Sequence, residues 1–367
     1  MGQAPAGESY NDRGDGLPLI AGAGDFDHGV PRAKKYTTHP TKVSQPGDLI
    51  VSIRASIGDL VVGDQPYCLG RGVAALRARS AVDSDYLRHW FRFNSNHLRA
   101  KGKGATFLQV NREDIGEMPI QVPPVSEQRQ IAAILDQAEC VLMLRRKWLQ
   151  GLVELKAVAF NRFANSGENR FTRLGELLDR IESGRSPVCL DRKPVGSEWG
   201  VLKLSAVTGG EFDPREAKAL PDTIEPRPQD EVLVGDILLA RKNTLALVGS
   251  SVLVKDTTQR LLMSDLIFRL VIGDGSIDPT YLQMELTRAH VREAMRRFAG
   301  GSAGSMPNVS KARLADVVVG VPPRAIQDEY VAVSSEIDGV RAMGVRSLGL
   351  EESLFASLQH RAFRGEL

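Results

Sequence analysis

Two stretches of the chain repeat apolar residues at three-four spacing with no proline inside. In the first, Ile131, Ile134/Leu135, Ala138, Val141/Leu142, Trp148/Leu149, Leu152, Leu155 and Ala159 recur until about Ala164. The run has one break, at Arg145, and one glycine, Gly151. This spacing lines apolar side chains along one face of an α-helix. The opening is Val122-Pro123-Pro124-Val125-Ser126-Glu127-Gln128. Proline lacks an N–H and clashes with the preceding turn, so Pro-Pro lies outside the helix. Ser126 suits an N-cap, and Glu127 lies near the positive helix end. A helix of about 38 residues would be ~57 Å long at 1.5 Å per residue, too long for one compact core. Its stripe is narrow enough for a coiled-coil seam.

The second stretch follows Val321-Pro322-Pro323-Arg324-Ala325-Ile326-Gln327 and reaches about Ala362, with Tyr330, Val333, Ile337, Val340, Leu348, Phe355 and Leu358 as its stripe. Helix pairing is expected through Ile131, Leu135, Trp148 and Leu152 on the first run and Ile337, Val340, Leu348 and Phe355 on the second. Gly339, Gly344 and Gly349 interrupt the second run. Each interior glycine costs about 1 kcal/mol relative to alanine, so this helix needs its partner to form.

The sequence before each long run has the same order of elements. Pro46-Gly47-Asp48 turns into a β-branched strand ending at Arg54, with further strands expected at 60–62 and 73–76. A helix is expected at 85–100, then the loop Lys101-Gly102-Lys103-Gly104, a short helix at 112–116 and a strand at 118–122. In the second half, Val234-Gly235-Asp236 leads into a strand ending at Arg241, and a helix at 278–298 precedes a glycine loop at 300–305 and a strand at 317–321. Pro322 follows Pro123 by 199 residues, and Gln327 follows Gln128 by the same interval. A period this long marks duplication of a large module, not a solenoid. The second half also has an introductory segment, 171–187, whose last residues alone are answered by Met1-Gly2-Gln3-Ala4-Pro5. The expectation is that the chain opens inside its first module.

Composition narrows the class. A chain of 367 residues suggests two domains, and 42% hydrophobic with 25% charged residues is ordinary for a globular protein. No stretch approaches the ~18 apolar residues of a membrane span. Cys68, Cys140 and Cys189 are scattered without metal spacing, so a reducing cytoplasm is the simple reading. A net charge of +2 neither requires nor excludes a local basic patch for nucleic acid. Among catalytic signatures, GxxxxGK[ST], [DN]PP[YFW] and HExxH are missing from the sequence.

Taken together, the two Pro-Pro…Gln helix openings, the Pro-Gly-Asp and Val-Gly-Asp turns, the glycine loops leading to Asn111 or Ser310, and the terminal Ala362-Phe363-Arg364-Gly365-Glu366-Leu367 resemble the specificity subunit of type I restriction-modification enzymes. The resemblance covers nearly the whole chain and rests on the ordered repeat of all these features. It implies an α+β fold of two α/β target-recognition domains separated by two long antiparallel coiled-coil helices. The divisions are 1–122, 123–166, 167–321 and 322–367. It implies a non-catalytic subunit that binds a bipartite double-stranded DNA target and docks two methyltransferase subunits. A restriction and motor subunit would join through them, and S-adenosylmethionine, ATP and magnesium would belong to these partners. The alternative is a scaffold or decoy that binds the methyltransferase with impaired DNA reading, because the first domain lacks its opening segment.

Candidate DNA contacts follow from residue chemistry at loop and strand ends. Lys101 and Lys103 flank glycines, which allow close approach to phosphate; a solvated turn is the plain alternative. Gln109, Asn111 and Asn308 carry amides suited to adenine in the major groove, and Asn111 equally suits a helix cap. Arg54 and Arg241-Lys242-Asn243 end strands where a recognition loop would start, with guanine or phosphate as targets and plain solvation as the other reading. Ser302, Ser305 and Lys311 complete the set. Arg296 and Arg297, near a helix end, suit its dipole.

Overall fold

The computed structural model describes residues 1–27, 29–104, 108–257, 260–300 and 306–367. The chain divides into two compact units: Met1–Trp148 with Gly344–Leu367, and Leu149–Met343.

In the first unit the strand Leu49–Ser52 is buried throughout and lies between Leu60–Val62 and Val73–Leu76, antiparallel to both. The turn before it needs Gly47, whose φ of 85° is in the left-handed region. Asp48 closes that turn by accepting from the Gln45 N–H at 2.7 Å and is held by Arg77 at 2.6 and 2.7 Å. A second sheet pairs Leu17–Ile20 antiparallel with Lys35–Thr37 and parallel with Cys68–Leu69. The expected helix at 85–100 is two helices, Ser84–Phe93 and Ser95–Ala100, meeting at Asn94. Their buried faces, with Trp90, Phe91 and Leu98, cover Leu49, Val51 and Ile53.

The second unit repeats both pairings. Ile237–Ala240 lies between Ser251–Leu253 and Ile267–Ile272, and Gly200–Leu202 pairs antiparallel with Ala217–Ala219 and parallel with Leu261–Leu262. Gly235, with φ of 95°, stands where Gly47 does. Here, though, the introductory segment adds strands. Leu178–Ser183 extends the sheet along Ile267–Ile272, and Arg170–Arg173 pairs with Val318–Val321. That pairing explains a correction in the first unit. The strand expected at 118–122 does not form, because nothing among the described residues of that unit plays the part of Arg170–Arg173. An extended segment becomes a strand only when a neighbour takes its hydrogen bonds.

The long helices are Val125–Ala164 and Arg324–Ala362. The first starts two residues earlier than expected, so Ser126 lies in the first turn and does not cap it. Each helix is keyed to its own unit by a buried glutamine. Gln128 accepts from the Asp83 N–H at 2.8 Å and donates to the carbonyls of Ala81 and Pro123 at 2.9 and 2.7 Å. Gln327 repeats all three bonds, with Asp278, Ser276 and Pro322, at 2.7, 3.1 and 2.9 Å. In the first unit Ile131 and Leu135 pack with Phe355, Leu358 and Ala362, and Arg145 bonds Glu351. In the second, Phe160 and Phe163 meet Tyr330, and Lys156 bonds Asp338.

Burial along the helices follows a strict three-four alternation through Ile131, Leu135, Leu142 and Leu149, and through Tyr330, Ser334 and Ile337. Leu152, Leu348 and Phe355 are half-buried on the same alternation. Trp148 and Val340 are not on it. They stand one residue before Leu149 and Arg341 and are 41% and 39% exposed. The sequence marks both as pairing residues because they are apolar, yet the register puts them on the flank of the stripe.

Candidate nucleic-acid interface

Beyond the central strand of each unit the chain meets a short hairpin. In the first unit the Val110 N–H donates to the Ile53 carbonyl at 3.0 Å and the Ala55 N–H to Leu108 at 3.1 Å, while Lys103 and Gln109 exchange both backbone bonds at 3.0 and 2.9 Å. The second unit repeats the set: Val309 to Arg241 at 2.9 Å, Asn243 to Pro307 at 3.2 Å, and Gly300 with Asn308 at 3.1 and 3.0 Å. Lys242 is therefore the counterpart of Arg54, and Asn308 that of Gln109.

This arrangement brings Arg54, Lys103 and Gln109 onto one exposed edge of the first unit. Their side chains are free to offer a guanidinium, an ammonium and an amide to a ligand. Lys101 sits apart, half-buried, as the C-cap of Ser95–Ala100. Asn111 is an N-cap: its Oδ1 accepts from the Asp114 N–H at 2.9 Å, and the Asp114 carboxylate accepts from the Asn111 N–H at 2.8 Å. Its Oδ1 is spent on the backbone, the helix-cap arrangement that the sequence also suits, while its amide nitrogen remains for a ligand.

The second unit spends more of its candidates internally. The Arg241 guanidinium lies over the Phe268 ring at 5.2 Å, and its Nε donates to the Asn308 Oδ1 at 3.2 Å. Lys311 approaches the same ring at 5.9 Å. Asn243 is buried, and its Oδ1 accepts from the Thr244 N–H at 2.8 Å. Lys242 and the Asn308 amide nitrogen remain for a ligand. Ser302 and Ser305 lie outside the described residues.

The sequence did not single out Ala55, the one described non-glycine residue with positive φ, at 57°. No local pattern announces it. One further cluster has metal-ligand spacing among the described residues: His89, Asp136 and Glu139. Arg88 and Arg92 already pair with both carboxylates, so the cluster's charge is met from within. Burial holds the His89 imidazole below its ordinary pKa even though Asp136 bonds its Nε2 at 2.9 Å.

Comparison with known proteins gives this edge a context. Residues 28–146 match the type I restriction modification DNA specificity domain. The chain resembles type I specificity subunits. It is 36% identical over 161 residues to the EcoEI specificity subunit of Escherichia coli, covering 44% of this chain and 27% of that protein. It is 30% identical over 162 residues to the putative MjaX specificity subunit of Methanocaldococcus jannaschii, covering 44% and 38%. These matches thus span less than half the length of either relative. The EcoKI specificity subunit of Escherichia coli aligns over 96% of this chain and 83% of its own at 24% identity. A structure from a study of assembly and conformational transition in a type I system superposes with a TM-score of 0.58 at 20% identity, covering 100% and 96%. The S subunit from M. genitalium gives 0.52 at 12% identity, covering 99% and 92%. The mixed α/β fold with long helices is thus that of type I specificity subunits, and the resemblance read from the sequence holds.

Proposed function

We propose that this chain is the DNA specificity subunit of a type I restriction-modification system and performs no catalysis itself. Each unit holds one target-recognition domain, and each domain reads one half of a split DNA sequence. The long helices pair antiparallel as a coiled coil and fix the gap between the halves, as protein geometry fixes half-site spacing in other double-headed readers. Methyltransferase subunits dock on the helices and bring S-adenosylmethionine. A motor and nuclease subunit would bring ATP and magnesium.

One observation carries this reading. Both units present the same edge beyond the central strand, built by matching backbone bonds, and each edge offers a cation beside an amide: Arg54 with Gln109, Lys242 with Asn308. Arginine and lysine suit guanine or phosphate, and amides suit adenine. The decoy reading has one support, the unpaired segment 118–122 of the first unit.

The test is methylome sequencing of cells carrying the chain with its methyltransferase subunits. A split target with two defined halves is expected. A single half-site would favour the impaired first domain, and unchanged methylation would refute the assignment.

A further inference from the structure

The loops that leave the central strands toward the proposed DNA edge are held from behind in the same way in both units. In the first, Arg99 on Ser95–Ala100 donates from Nε and Nη2 to the Ile57 carbonyl at 3.2 and 3.1 Å. In the second, Arg296 on Ala289–Phe298 donates from Nε to the Leu245 carbonyl at 3.2 Å. Arg292 on the same helix adds a bond to the Ala246 carbonyl at 3.0 Å. Each loop then closes on a left-handed glycine pressed against that helix. Gly58, φ 95°, would bring a Cβ within 2.8 Å of Ser95, and Gly249, φ 75°, within 2.6 Å of Met295. A side chain at either position would strain the backbone, and at Gly58 it would also press on the Ser95 Cβ.

Between these fixed ends the loops differ. The first runs from Arg54 to Gly58 and contains the strained Ala55; the second runs from Lys242 to Gly249 and exposes Leu245 and Leu247. A common frame holding loops of unlike length and content is the arrangement expected where selectivity differs and the scaffold does not. Strain at Ala55 fits a segment whose shape matters for binding.

We infer that residues 54–57 and 242–248 set base selectivity in the two half-sites, and that Arg99 and Arg296 are the positioning residues that hold them. This rests on the specificity-subunit reading and deepens it. A guanidinium that bridges to a carbonyl fixes the loop backbone, and loop side chains then meet base edges at a set height. Without the bridge the loop samples several shapes, so wrong bases are penalised less.

The experiment uses the full chain with its methyltransferase subunits and maps methylated sites for Arg99→Ala, Arg99→Lys, Arg296→Ala and Arg296→Lys. Arg99→Ala is expected to lower discrimination roughly tenfold at the bases of one half-site and to leave the other sharp. Arg296→Ala should blunt the opposite half. Lysine, able to give the carbonyl one bond, should restore part of the loss. If an alanine variant weakens binding evenly across sequences and lowers the salt slope by about 1, that arginine is a phosphate contact and the positioning role is overturned. Equal blunting of both halves by either variant, or no change in discrimination, also overturns it. If the unmodified complex methylates no split sequence, the specificity reading itself fails, an outcome distinct from a specific complex indifferent to Arg99 and Arg296.

Discussion

Arg145 and Glu351 meet between the two long helices of the first unit, with Nη2 2.8 Å from one carboxylate oxygen and Nε 3.2 Å from the same atom. Both occupy positions of the buried alternation, where hydrocarbon is the usual choice. An ion pair at such a position favours one register, because any slip separates the charges. Arg145→Leu and Glu351→Leu are each expected to lower the melting temperature by stranding the remaining charge. The double substitution should recover most of the loss. Thermal melts of the four proteins form a double-mutant cycle; simple additivity would show that the pair does not couple.

Lys156 and Asp338 do the same in the second unit, with Nζ 2.9 Å from both carboxylate oxygens and Lys255 on the same carboxylate. Burial pushes the Lys156 ammonium down from 10.5 to about 8, with Lys255 adding to the effect and Asp338 opposing it. The folded pKa lies below the unfolded one, so the charged lysine costs stability fully below about pH 8. That cost is relieved as pH rises from about 8 toward 10.5. Lys156 thus contributes a rise in stability across that window, and Lys156→Met should abolish it. At pH 7 Lys156→Met is expected to cost less than the roughly 3–5 kcal/mol typical of breaking a buried pair, since Asp338 keeps Lys255. Denaturant titrations at pH 7 and 9.5 measure both effects.

Gln128 and Gln327 are buried and each makes three hydrogen bonds that tie a helix start to its unit. Replacement by alanine leaves one N–H and two carbonyls without partners and should cost roughly 1–3 kcal/mol at each site. Gln128→Glu should be no better, because a carboxylate cannot donate to the Ala81 and Pro123 carbonyls. Urea unfolding of the single variants decides this, and a tolerated glutamate would contradict the bonding scheme.

The helices were legible because their order is local: Pro-Pro, a glutamine five residues on, and three-four spacing. The repeat of central strand and turn was legible for the same reason, since glycine at Gly47 and Gly235 answers a backbone need. What the sequence hides is set by distant neighbours. Trp148 and Val340 look like seam residues until Leu149 and Arg341 take those places. Residues 118–122 look like a strand until a partner is sought. Arg296 looks like a complement to its helix dipole, yet it bonds a carbonyl 51 positions away.

Asn111 and Gln109 stand two residues apart with different duties. Asn111→Ala removes a capping box and should cost about 1 kcal/mol of stability without altering the methylated sequence. Gln109→Ala should leave stability within about 0.5 kcal/mol, since its side chain is exposed, and should relax selectivity in one half-site. Paired melts and methylomes separate the two, and a shared phenotype would break the distinction.

Trp148 carries the last prediction. It lies on an exposed face of the first long helix with Ile134, Val141 and Leu144, all exposed and spaced by sevens, threes and fours. Exposed apolar residues gathered on one helix face mark an interaction surface. The ring's neighbour in its own unit is the Arg145 guanidinium, 5.5 Å from the ring centroid. Trp148→Ala should therefore leave the melting temperature of the isolated chain nearly unchanged. It should weaken association with the proposed methyltransferase subunit by tenfold or more, as loss of an aromatic anchor does. Calorimetric titration of the subunit into both forms supplies the second number. A large fall in stability with unaltered association would return Trp148 to the helix seam and leave that face without a role.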